Sequence, residues 1–336
     1  MIDWTKGFSA SYHAALVDPA TWRDVGRIEI ISGSVTRNDE SLRQSADVTC
    51  RDFDASKERW IRIYLDAAQN ENGERQALFT GLATSPEESI NGTITEHPLQ
   101  CYSVLKPAED ILLMRGWYAP AEINGADLIR QLLAVCPCPV VAEPGAPSLS
   151  EAIVAEDGES NLSMVGKILD AIDWRLRILG NGTVHICPPP SQPVKILNVN
   201  RGDTIEPKIT VTNDWFECPN VFRAVSEELS AVARDDSPDS PLSTVNRGRE
   251  VWMEETSCDL SDSETIADYA LRRLNEEQRR YMTASYSRRF DPDILPSDLV
   301  LLHYPRQKVD GLFRVTSQTI SLTHGAATSE EVSYAG

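Results

Sequence analysis

The sequence has 336 residues, of which 41% are hydrophobic, and 51 acidic against 32 basic side chains give it a formal net charge of -19. This length supports about two or three compact units rather than one core, and no apolar run approaches the roughly 18 to 20 residues of a membrane span. The negative charge argues against a protein that grips nucleic acid by neutralising its phosphates.

The first third of the chain predicts short β-strands. Residues 1–10 lack the long apolar core of a secretion signal, and beyond them β-branched and aromatic residues alternate with polar ones between Gly, Asn and Asp turns. In the clearest strand, Ile61, Ile63 and Leu65 face one side. Strands this close together favour a barrel or sandwich, and we predict a first β-barrel domain over 1–105. The predicted strands are 25–31, 45–52, 59–67, 76–84 and 90–104.

From about residue 106 the pattern becomes helical. Asn124 is expected to cap a helix over 125–135, and Asn161 is expected to cap a second helix whose apolar residues form one stripe. A β-hairpin is predicted over 174–186, around an Asn-Gly turn. We therefore predict a small α/β domain over 106–192.

The loop between the two predicted helices holds the closest pair of the seven cysteines. Cys136 and Cys138 stand in Cys-Pro-Cys-Pro and lack a second cysteine pair or histidines at zinc-finger spacing. An odd number of scattered cysteines also argues against a disulfide framework. We expect reduced core cysteines and a proline-rigid loop, with a metal site as the less favoured alternative.

Beyond residue 187 the sequence predicts a linker and then a second β region. Prolines 188–190 and Pro193 break regular structure, and strands resume after them. A helix at about 261–282 interrupts these strands, because Ser261 and Glu264 complete a capping box and apolar residues recur behind it. We predict a second β-barrel domain over 193–336 that includes this helix. Its first strands are predicted at 207–213, 220–227 and 249–255.

The two predicted β regions share a layout of strand, polar Gly turn, Leu-Phe strand and return strand. The corresponding pieces are 61–65, Asn72-Gly73 and Leu78-Phe79 in the first region and 299–304, Asp310-Gly311 and Leu312-Phe313 in the second. This suggests a duplicated barrel, although similar β-meanders also arise without duplication. The fold class we predict is α+β and β-rich, with two similar β-barrels, a small α/β domain between them and one long helix in the C-terminal half.

No motif in the sequence predicts catalysis. The five histidines lie far apart, none stands in a zinc-binding or nucleophile-elbow pattern, and no Gly-rich phosphate loop is present. Neighbouring carboxylates such as Asp235-Asp236 and Glu254-Glu255 are expected in so acidic a chain and are better explained as a solvated face than as glycosidase acids. We predict no catalytic, cofactor-binding or metal-binding residue and no enzymatic activity.

One group of charged residues is a candidate for contacts between chains. Arg247 and Arg249 flank a glycine and precede Glu250 and an apolar strand. Because a guanidinium fork binds a carboxylate at two points, we predict that these residues, with Arg288 and Arg289, form salt bridges within or between subunits. A catalytic arginine is the minor alternative.

Several stretches, taken in order, resemble the tail hub (baseplate hub) proteins of tailed phages and prophages. The resemblance spans nearly the whole chain and rests on this order, since no single motif is diagnostic. The stretches are VGRIEI at 25–30, GSVTR at 33–37, RWIRIY at 59–64, ALFTGLATSP at 77–86, QCYSVLKP at 100–107, PNVFRA at 219–224, RGREVW at 247–252 and FDPD at 290–293.

The resemblance implies a structural virion protein. In that family each subunit carries two similar barrels, so a homotrimer presents a pseudo-six-fold ring that matches the hexameric tail tube and lets DNA pass to the tip. The implied partners are further copies of the chain, the tail tube or distal tail protein ring, and tip, spike or fibre proteins, assembled in the host cytoplasm. Family members often carry or precede a cell-wall hydrolase; this sequence reaches Gly336 soon after its last predicted strand without a Cys/His hydrolase region, so we expect none.

Two other functions stay open on the sequence. A tip enzyme that cleaves peptidoglycan or polysaccharide needs a deep cleft with two carboxyl groups roughly 5 to 9.5 Å apart. A carbohydrate-binding adhesin needs an exposed aromatic platform, for which Trp22, Trp117 and Trp252 are candidates, although buried barrel or interface anchors are the favoured interpretation.

Overall fold

A computed structural model describes residues 2–39, 44–51, 53–54, 56–84, 87–92, 94–199, 205–213, 215–226, 229–256, 258, 265–279, 282–307 and 309–335. The protein is β-rich, and its buried apolar residues form four separate clusters along the chain. None of the described helices is long and apolar enough to cross a membrane.

Strands of the N-terminal third form what we call the first strand set. They are β1 (Ser9–Asp18), β2 (Arg23–Asn38), β3 (Gln44–Arg51), β4 (Arg59–Gln69), β5 (Asn72–Thr84), β6 (Ser89–Asn91) and β7 (Ile94–Ser103). Six of them pair in the antiparallel order β1-β4-β5-β7-β3-β2, and β2 also pairs with β1, so the ring of hydrogen-bonded strands closes on itself. Alternate side chains fill one core; in β4, Ile61, Ile63 and Leu65 are fully buried.

Two features of the first strand set differ from the sequence prediction. Strand β1 was not predicted, because its alanines and serines have weak strand propensity and only its pairing with β2 and β4 makes it a strand. The turn after β4 lies at Asn70 and Glu71 rather than at Asn72-Gly73, which already belong to β5. Asn70 has φ 55°, a left-handed conformation that asparagine tolerates better than most residues.

An α/β segment follows, with a core of its own. It contains α1 (Lys106–Asp110), β8 (Tyr118–Ala119), α2 (Gly125–Leu132), β9 (Val140–Ala142), β10 (Ile153–Val154), α3 (Asn161–Ile172), β11 (Arg175–Ile178) and β12 (Val184–Cys187). A 3-10 turn, Leu133–Val135, extends α2, so the helix predicted over 125–135 is confirmed with a tighter last turn. The predicted hairpin is also confirmed, since β11 and β12 pair antiparallel.

One of the two predicted helix caps is right and the other is displaced by a residue. Asn124 caps α2, because its side chain accepts a hydrogen bond from Asp127 N at 3.1 Å. The cap of α3 is Ser160, whose Oγ accepts from Ser163 N at 3.1 Å. Asn161, the predicted cap, is the first helical residue instead. Its amide is buried and donates to Leu132 O at 3.0 Å, a tertiary bond that local sequence does not reveal.

The turn between β11 and β12 docks on the outside of the first strand set. Thr80 of β5 donates a hydrogen bond to Gly180 O at 2.8 Å, and Arg62 of β4 donates to Asn181 O at 3.1 Å. A side chain at Gly180 would collide with the backbone of Ala77. Gly182 has φ 80° and touches Trp22, so glycine is needed there for both conformation and space.

The rest of the chain contains two further units. Its elements are β13 (Pro193–Asn198), β14 (Ile205–Asn213), β15 (Val221–Val225), β16 (Ser230–Arg234), α4 (Thr244–Arg247), β17 (Trp252–Thr256), α5 (Ile266–Arg279), β18 (Met282–Arg289), β19 (Leu299–Tyr304), β20 (Val309–Ser321) and β21 (Ala327–Tyr334). We call β13, β14 and β18 to β21 the second strand set. Its pairing order is β13-β19-β20-β21-β18-β14.

The second strand set departs from the predicted layout at its turn. Asp310 and Gly311 pair with His303 and Leu302 inside the β19-β20 ladder, so they are strand residues, not a turn. The connection is made by the 3-10 turn Pro305–Gln307. Strand β19 itself matches the predicted 299–304.

Strands β15, β16 and β17 form a separate three-stranded sheet, the inserted sheet, which helix α5 covers on one side. Phe222 and Ala224 of β15 pack there against Tyr269, Ala270 and Leu274 of α5. The apolar side predicted for this helix is therefore confirmed. The predicted capping box at 261–264 lies outside the described residues, and the described helix runs from Ile266 to Arg279 rather than over 261–282.

The two strand sets are joined by hydrogen bonding between β2 and β20, which are far apart in sequence. Ser34 to Asn38 of β2 pair antiparallel with Ser317 to Ser321 of β20. As a result one continuous sheet, in the order β7-β3-β2-β20-β21-β18-β14, crosses from the first set into the second.

Candidate functional surfaces

One side of this continuous sheet is open to solvent and carries mostly hydroxyl side chains; we call it the hydroxyl face. Cross-strand registers place its residues in three rows, and every member is exposed or half-buried. The rows are Thr84, Gln100, Asp47, Ser34 and Ser321; then Tyr102, Ser45, Thr36, Thr319, Ser329 and Ser287; then Asn38, Ser317, Glu331, Ser285 and Thr210.

The hydroxyl face runs through the joint between the two strand sets without a break. Thr36 and Thr319 face each other across the joint with their Oγ1 atoms 3.4 Å apart. Further along, the Oγ atoms of Ser287 and Ser329 are 3.2 Å apart. Such Thr and Ser pairs are a normal form of cross-strand stabilisation. The face is therefore continuous across the joint rather than two separate patches.

The charge of this face is low and negative. Asp47 and Glu331 are the charged members of the three rows, which contain no Lys or Arg. Cationic groups stand beside the rows: Arg51 and Arg289 lie nearer strand ends, and Lys106 Nζ lies 6.0 Å from the ring of Tyr102 at one edge. The middle of the face thus offers no fixed positive charge to a polyanion.

Sequence reasoning missed this face, although the signal is present. Alternate positions are Ser or Thr in the segments 32–36, 283–287 and 317–321, and in 45–49 and 329–333 Ser or Thr residues flank Asp47 and Glu331. A period of two places them all on one side of their strands. That the segments become neighbours in one sheet is decided only by the pairing of β2 with β20.

The opposite side of the same sheet holds a buried polar row at the joint. Gln44, Arg37, Gln318, Glu330 and Tyr286 are successive cross-strand partners there. All are buried, so each polar group needs a partner inside the protein.

Arg288 is the best-partnered of the five predicted salt-bridge residues. Its Nη2 donates to Glu330 Oε1 at 2.5 Å, and both side chains are almost completely buried. Gln318 Nε2 donates to the same oxygen at 2.5 Å. Burial by itself lowers the pKa of the Arg288 guanidinium, but the adjacent Glu330 carboxylate outweighs it and raises that pKa. This is an ion pair within the chain.

Arg37 was not singled out by sequence analysis, yet it is the most unusual cation of the row. Its Nη2 donates to the Leu78 carbonyl at 2.5 Å. Burial, and then the positive charge of Arg288, lower the pKa of Arg37 to about 10. The guanidinium thus bridges β2 and β5 beneath the hydroxyl face.

The other predicted residues lie elsewhere. Arg289, next to Arg288, is exposed and donates to Thr5 O at 2.9 Å. Arg247, Arg249 and Glu250 lie beside the inserted sheet, well separated in sequence from that joint. As contacts between subunits, these residues remain a prediction.

Arg247 and Arg249 hold a loop whose aromatic side chains point to solvent. Arg247 Nη1 donates to Cys218 O at 2.6 Å and its Nη2 to Trp215 O. Arg249 donates to Phe216 O at 3.4 Å, and its guanidinium carbon lies 5.8 Å from the centre of the Phe216 ring. Their partners are therefore backbone carbonyls and an aromatic ring, not the carboxylates that the sequence suggested.

Glu250 is engaged with its own surroundings. It pairs with Arg234 and accepts a hydrogen bond from Trp252 Nε1 at 2.8 Å. The hydrogen bond from Arg234 keeps the pKa of Glu250 below its ordinary value. Trp252 stands on the edge strand β17 with 52% of its surface exposed.

Only one of the three tryptophans considered for a sugar platform is exposed. Trp22 packs against Trp60 and donates from Nε1 to Asn181 O at 3.1 Å, at the dock of the α/β segment. Trp117 packs against the core of that segment. Trp252 therefore differs from the other two, which are half-buried and packed against other parts of the protein.

The described residues contain two principal pockets. The enclosed one is about 20 Å³, room for roughly a single water, and is lined by residues such as Asn38, Gln44 and Arg177. The other is an open depression of about 420 Å³ over α5, where Asp268 and Glu276 are its carboxylates. These acids are eight residues apart on the helix, a rise of about 12 Å, beyond the spacing that glycoside hydrolysis uses.

The predicted loop cysteines are both buried and free, as are the other five. The hydrogen bond with the Cys136 thiol, and then burial, raise the pKa of Cys138, whereas the same hydrogen bond lowers the pKa of Cys136. Among the residues that the structure describes, no three His, Cys, Asp or Glu side chains are grouped to hold a metal ion.

No protein-family model and no curated protein matches the sequence. Solved structures do match. The tail protein of Neisseria meningitidis MC58 has a TM-score of 0.70 at 15% identity, covering 98% of both chains. The 43 kDa tail protein of prophage MuSo2 from Shewanella oneidensis has a TM-score of 0.69 at 13% identity, covering 97% of this chain and 98% of that one.

A third solved structure also matches over nearly the full length of both chains. Prophage tail protein gp18 of Listeria monocytogenes EGD-e has a TM-score of 0.59 at 12% identity, covering 96% of this chain and 94% of its own. Since all three alignments span nearly the full length of both partners, the arrangement of the whole chain is shared, not one module. The chain therefore has the fold of phage tail proteins, and the resemblance noted in its sequence is confirmed.

Proposed function

We propose that this protein is a non-enzymatic tail hub subunit, three copies of which form a ring that joins the tail tube to the tail tip and lets DNA pass. The observation that carries the proposal is the hydroxyl face, which extends over eight strands, from β5 to β14, and across both strand sets. A surface this wide and poor in positive charge suits the wall of a channel better than a binding site.

The connection order of the two strand sets supports the pseudo-six-fold part of the proposal. Numbered along the chain, without the short β6, the first set pairs in the order 1-4-5-6-3-2, and the second set pairs in the same order. We infer that both are copies of one barrel-like module, in domains 1–105 and 193–336, with 106–192 between them. Three chains then supply six similar modules to a six-fold tube.

The free edge of β14 supports assembly into a ring. Among the described residues β14 pairs only with β18, which leaves the outer edge of this strand without a neighbour at the end of the continuous sheet. Within the chain, β2 and β20 already show that one strand set can pair with the next. Repetition of such joints between copies would continue the hydroxyl face around a channel.

The chemistry of the face fits passage of DNA without retention. Duplex DNA carries a negative charge about every 1.7 Å, and proteins hold it by neutralising phosphates with Lys and Arg. The rows of Ser and Thr supply no such cation, and Asp47 and Glu331 weakly repel phosphate. The net charge of -19 acts in the same direction.

The partners follow from this position. They are further copies of the chain, a tail tube or distal tail protein ring on one side, and tip, spike or fibre proteins on the other, within a virion tail assembled in the host cytoplasm. Fold similarity to tail proteins supports a structural role over a hydrolase, and neither of the two pockets described above is a deep carboxylate-lined cleft.

Electron cryo-microscopy of tails that contain this protein tests the proposal. We expect a three-copy ring under a six-fold tube, with Thr36, Thr319 and Ser329 facing the channel. A monomeric position on the tail surface, or a ring in which these residues face outward, would contradict it.

A substitution in the channel gives a functional test. Thr36→Lys with Ser329→Lys introduces two cations per chain, six per ring, and we expect slower DNA release from particles because phosphates gain fixed partners. The effect should weaken as ionic strength rises. Ser230→Lys, on the exposed surface of the inserted sheet, is the control and should leave release unchanged. Equal release rates in all three particles would count against a channel wall.

A further inference from the structure

The exposed side chains around Arg247 and Arg249 form a second surface that the channel does not use. Phe216 is 77% exposed, Trp215 49% and Trp252 52%. With the two arginines they form what we call the aromatic surface. Large exposed aromatic groups beside arginines are typical of the centres of protein interfaces.

The aromatic surface is rigidly presented. Hydrogen bonds from Arg247 and Arg249 fix the carbonyls of the 215–218 loop. Buried Asn220 ties this loop to the strand leading into β17, because its Nδ2 donates to Arg249 O at 3.0 Å and its Oδ1 accepts from Val251 N at 2.7 Å. A surface held in one conformation loses little entropy on binding, so it is prepared for a partner.

The aromatic surface also contains two guanidinium groups. Within the described residues neither Arg247 nor Arg249 has a carboxylate within ion-pair distance, in contrast to Arg234 and Arg223 on the same sheet. Burial and then the neighbouring Arg249 lower the pKa of Arg247, as expected for two guanidinium groups that share a site. A partner that supplies carboxylates would relieve this repulsion.

A complementary surface exists at the tip of the α/β segment. There Met114 is 84% exposed, Val154 64%, Leu112 61% and Tyr118 58%. Tyr118 and Val154 are direct cross-strand partners in the β8-β10 pair. We call these four side chains the apolar tip.

The apolar tip is bordered by acids. Glu151, Glu156 and Asp157 are exposed on the strand and turn that carry Val154. Arg115 is the neighbouring cation, and Glu156 is partly neutralised by Lys167 at 3.1 Å. Among the described residues no cation lies within ion-pair distance of Asp157, so the border retains negative charge next to an apolar patch.

We propose that the aromatic surface of one copy binds the apolar tip of the next copy in the ring. The inference rests on the proposed three-copy assembly and names one of its contacts. In this contact the aromatic side chains of one copy pack against the apolar tip of the next. The guanidinium groups of Arg247 and Arg249, which have no ion-pair partner among the described residues, bind Asp157. Because the two surfaces lie on different parts of the chain, the contact is head-to-tail, the type that closes into a ring when the rotation between copies is 120°.

The test measures the trimer fraction of the full chain by mass photometry over a range of concentrations. We expect Phe216→Ala and Met114→Ala each to raise the concentration needed for half-assembly at least about tenfold, because both remove large contact side chains. Leu271→Ala, which removes a side chain that is 51% exposed on the outer side of α5, is the control and should leave assembly unchanged. Circular dichroism confirms that each variant is folded.

Charge reversal identifies the partner surface. Arg249→Glu should weaken assembly and Asp157→Arg should weaken it too, whereas the double variant should recover assembly toward the wild-type level, since the ion pair is restored with its ends exchanged. No recovery in the double variant would overturn the pairing of these two surfaces.

The remaining outcomes separate this contact from the ring itself. A trimer that persists in Phe216→Ala and Met114→Ala leaves the ring standing and overturns this contact. A wild-type chain that stays monomeric at every concentration, and forms no three-copy ring in tails, overturns both. Loss of binding to soluble cell-wall glycans in Phe216→Ala, with assembly unchanged, overturns the contact in favour of a sugar site.

Discussion

The two strand sets share a connection order but differ in how they are completed. In the first set β1 pairs with both β2 and β4, so the ring of strands closes through backbone hydrogen bonds around an apolar core. In the second set β13 runs parallel to β19, whereas β1 runs antiparallel to β4. Among the described residues, β13 and β14 do not pair with each other.

The second set is held together partly by side chains. Tyr304 of β19, fully buried, donates a hydrogen bond to Glu206 O of β14 at 3.0 Å and so spans the gap that strand pairing leaves. The ion pair of Arg288 and Glu330 lies under the sheet near the joint. The first set is thus closed by strand pairing, although its core also takes in Phe290, Ile320, Leu322 and Ala326. Among the described residues, the second set leaves one edge of β14 without a strand partner and holds a buried ion pair beneath its sheet.

The largest effect is expected at the buried ion pair. Glu330→Ala should lower the free energy of unfolding by about 3–5 kcal/mol, because it leaves the Arg288 guanidinium buried without its carboxylate. Chemical denaturation measures the change. Glu331→Ala is the matched control, since this neighbour on β21 lies on the hydroxyl face and should change stability by less than about 0.5 kcal/mol. Equal losses of stability in the two variants would mean that the buried Arg288–Glu330 ion pair is not important for the second set.

An intermediate effect is expected where the α/β segment docks on the first set. Gly182→Ala adds a methyl group 2.7 Å from Trp22 at a residue with φ 80°, and we expect a loss of about 2–3 kcal/mol. Gly158→Ala has the same φ but open space around it, so it reports the backbone strain alone. Thermal unfolding of both variants gives the difference. If the two variants were equally stable, the contact between the α/β segment and the first strand set would not be tightly packed at Gly182.

The smallest effect is expected at the side-chain closure of the second set. Tyr304→Phe removes one hydrogen bond and should lower stability by about 0.5–1.5 kcal/mol. Because that bond spans to β14, amide hydrogen exchange should rise in β14 and stay unchanged in β2, which is held by strand partners on both sides. Faster amide exchange in β2 than in β14 would contradict the conclusion that the second set is the less completely paired of the two.

Much of the local structure could be predicted because local interactions decide it. Asn124 caps α2 through a bond to a residue three positions away, and β4 and β19 show apolar alternation that one face of a sheet requires. The predictions were wrong where a contact with a residue distant in sequence determines the local structure. Asn161 is helical because Leu132 O accepts its amide, and β1 is a strand only because it has neighbours.

The candidate surfaces could also be predicted only in part, because the sequence indicated some of their residues but not the contacts of those residues. Arg247, Arg249 and Arg288 were selected from the sequence because arginines in an acidic chain indicate defined partners, but the type of partner was visible only in the fold. Arg288 binds a buried carboxylate 42 residues away, whereas Arg247 binds backbone carbonyls of a loop. Phe216 and Met114 were not singled out, because exposure is a property of packing and not of residue type.

By itself, the sequence determined the alternation of strands, the two main helices of the α/β segment, the acidic charge and the order of stretches that resembles tail proteins, since these depend on short-range chemistry. Only the tertiary structure decided that β2 meets β20 across 283 residues, that Ser and Thr from both strand sets line one face, and that Arg37 and Glu330 are buried beneath it. The physical reason is that strand edges carry the same backbone donors and acceptors everywhere, so pairing over long distances is selected by the packing of the whole chain.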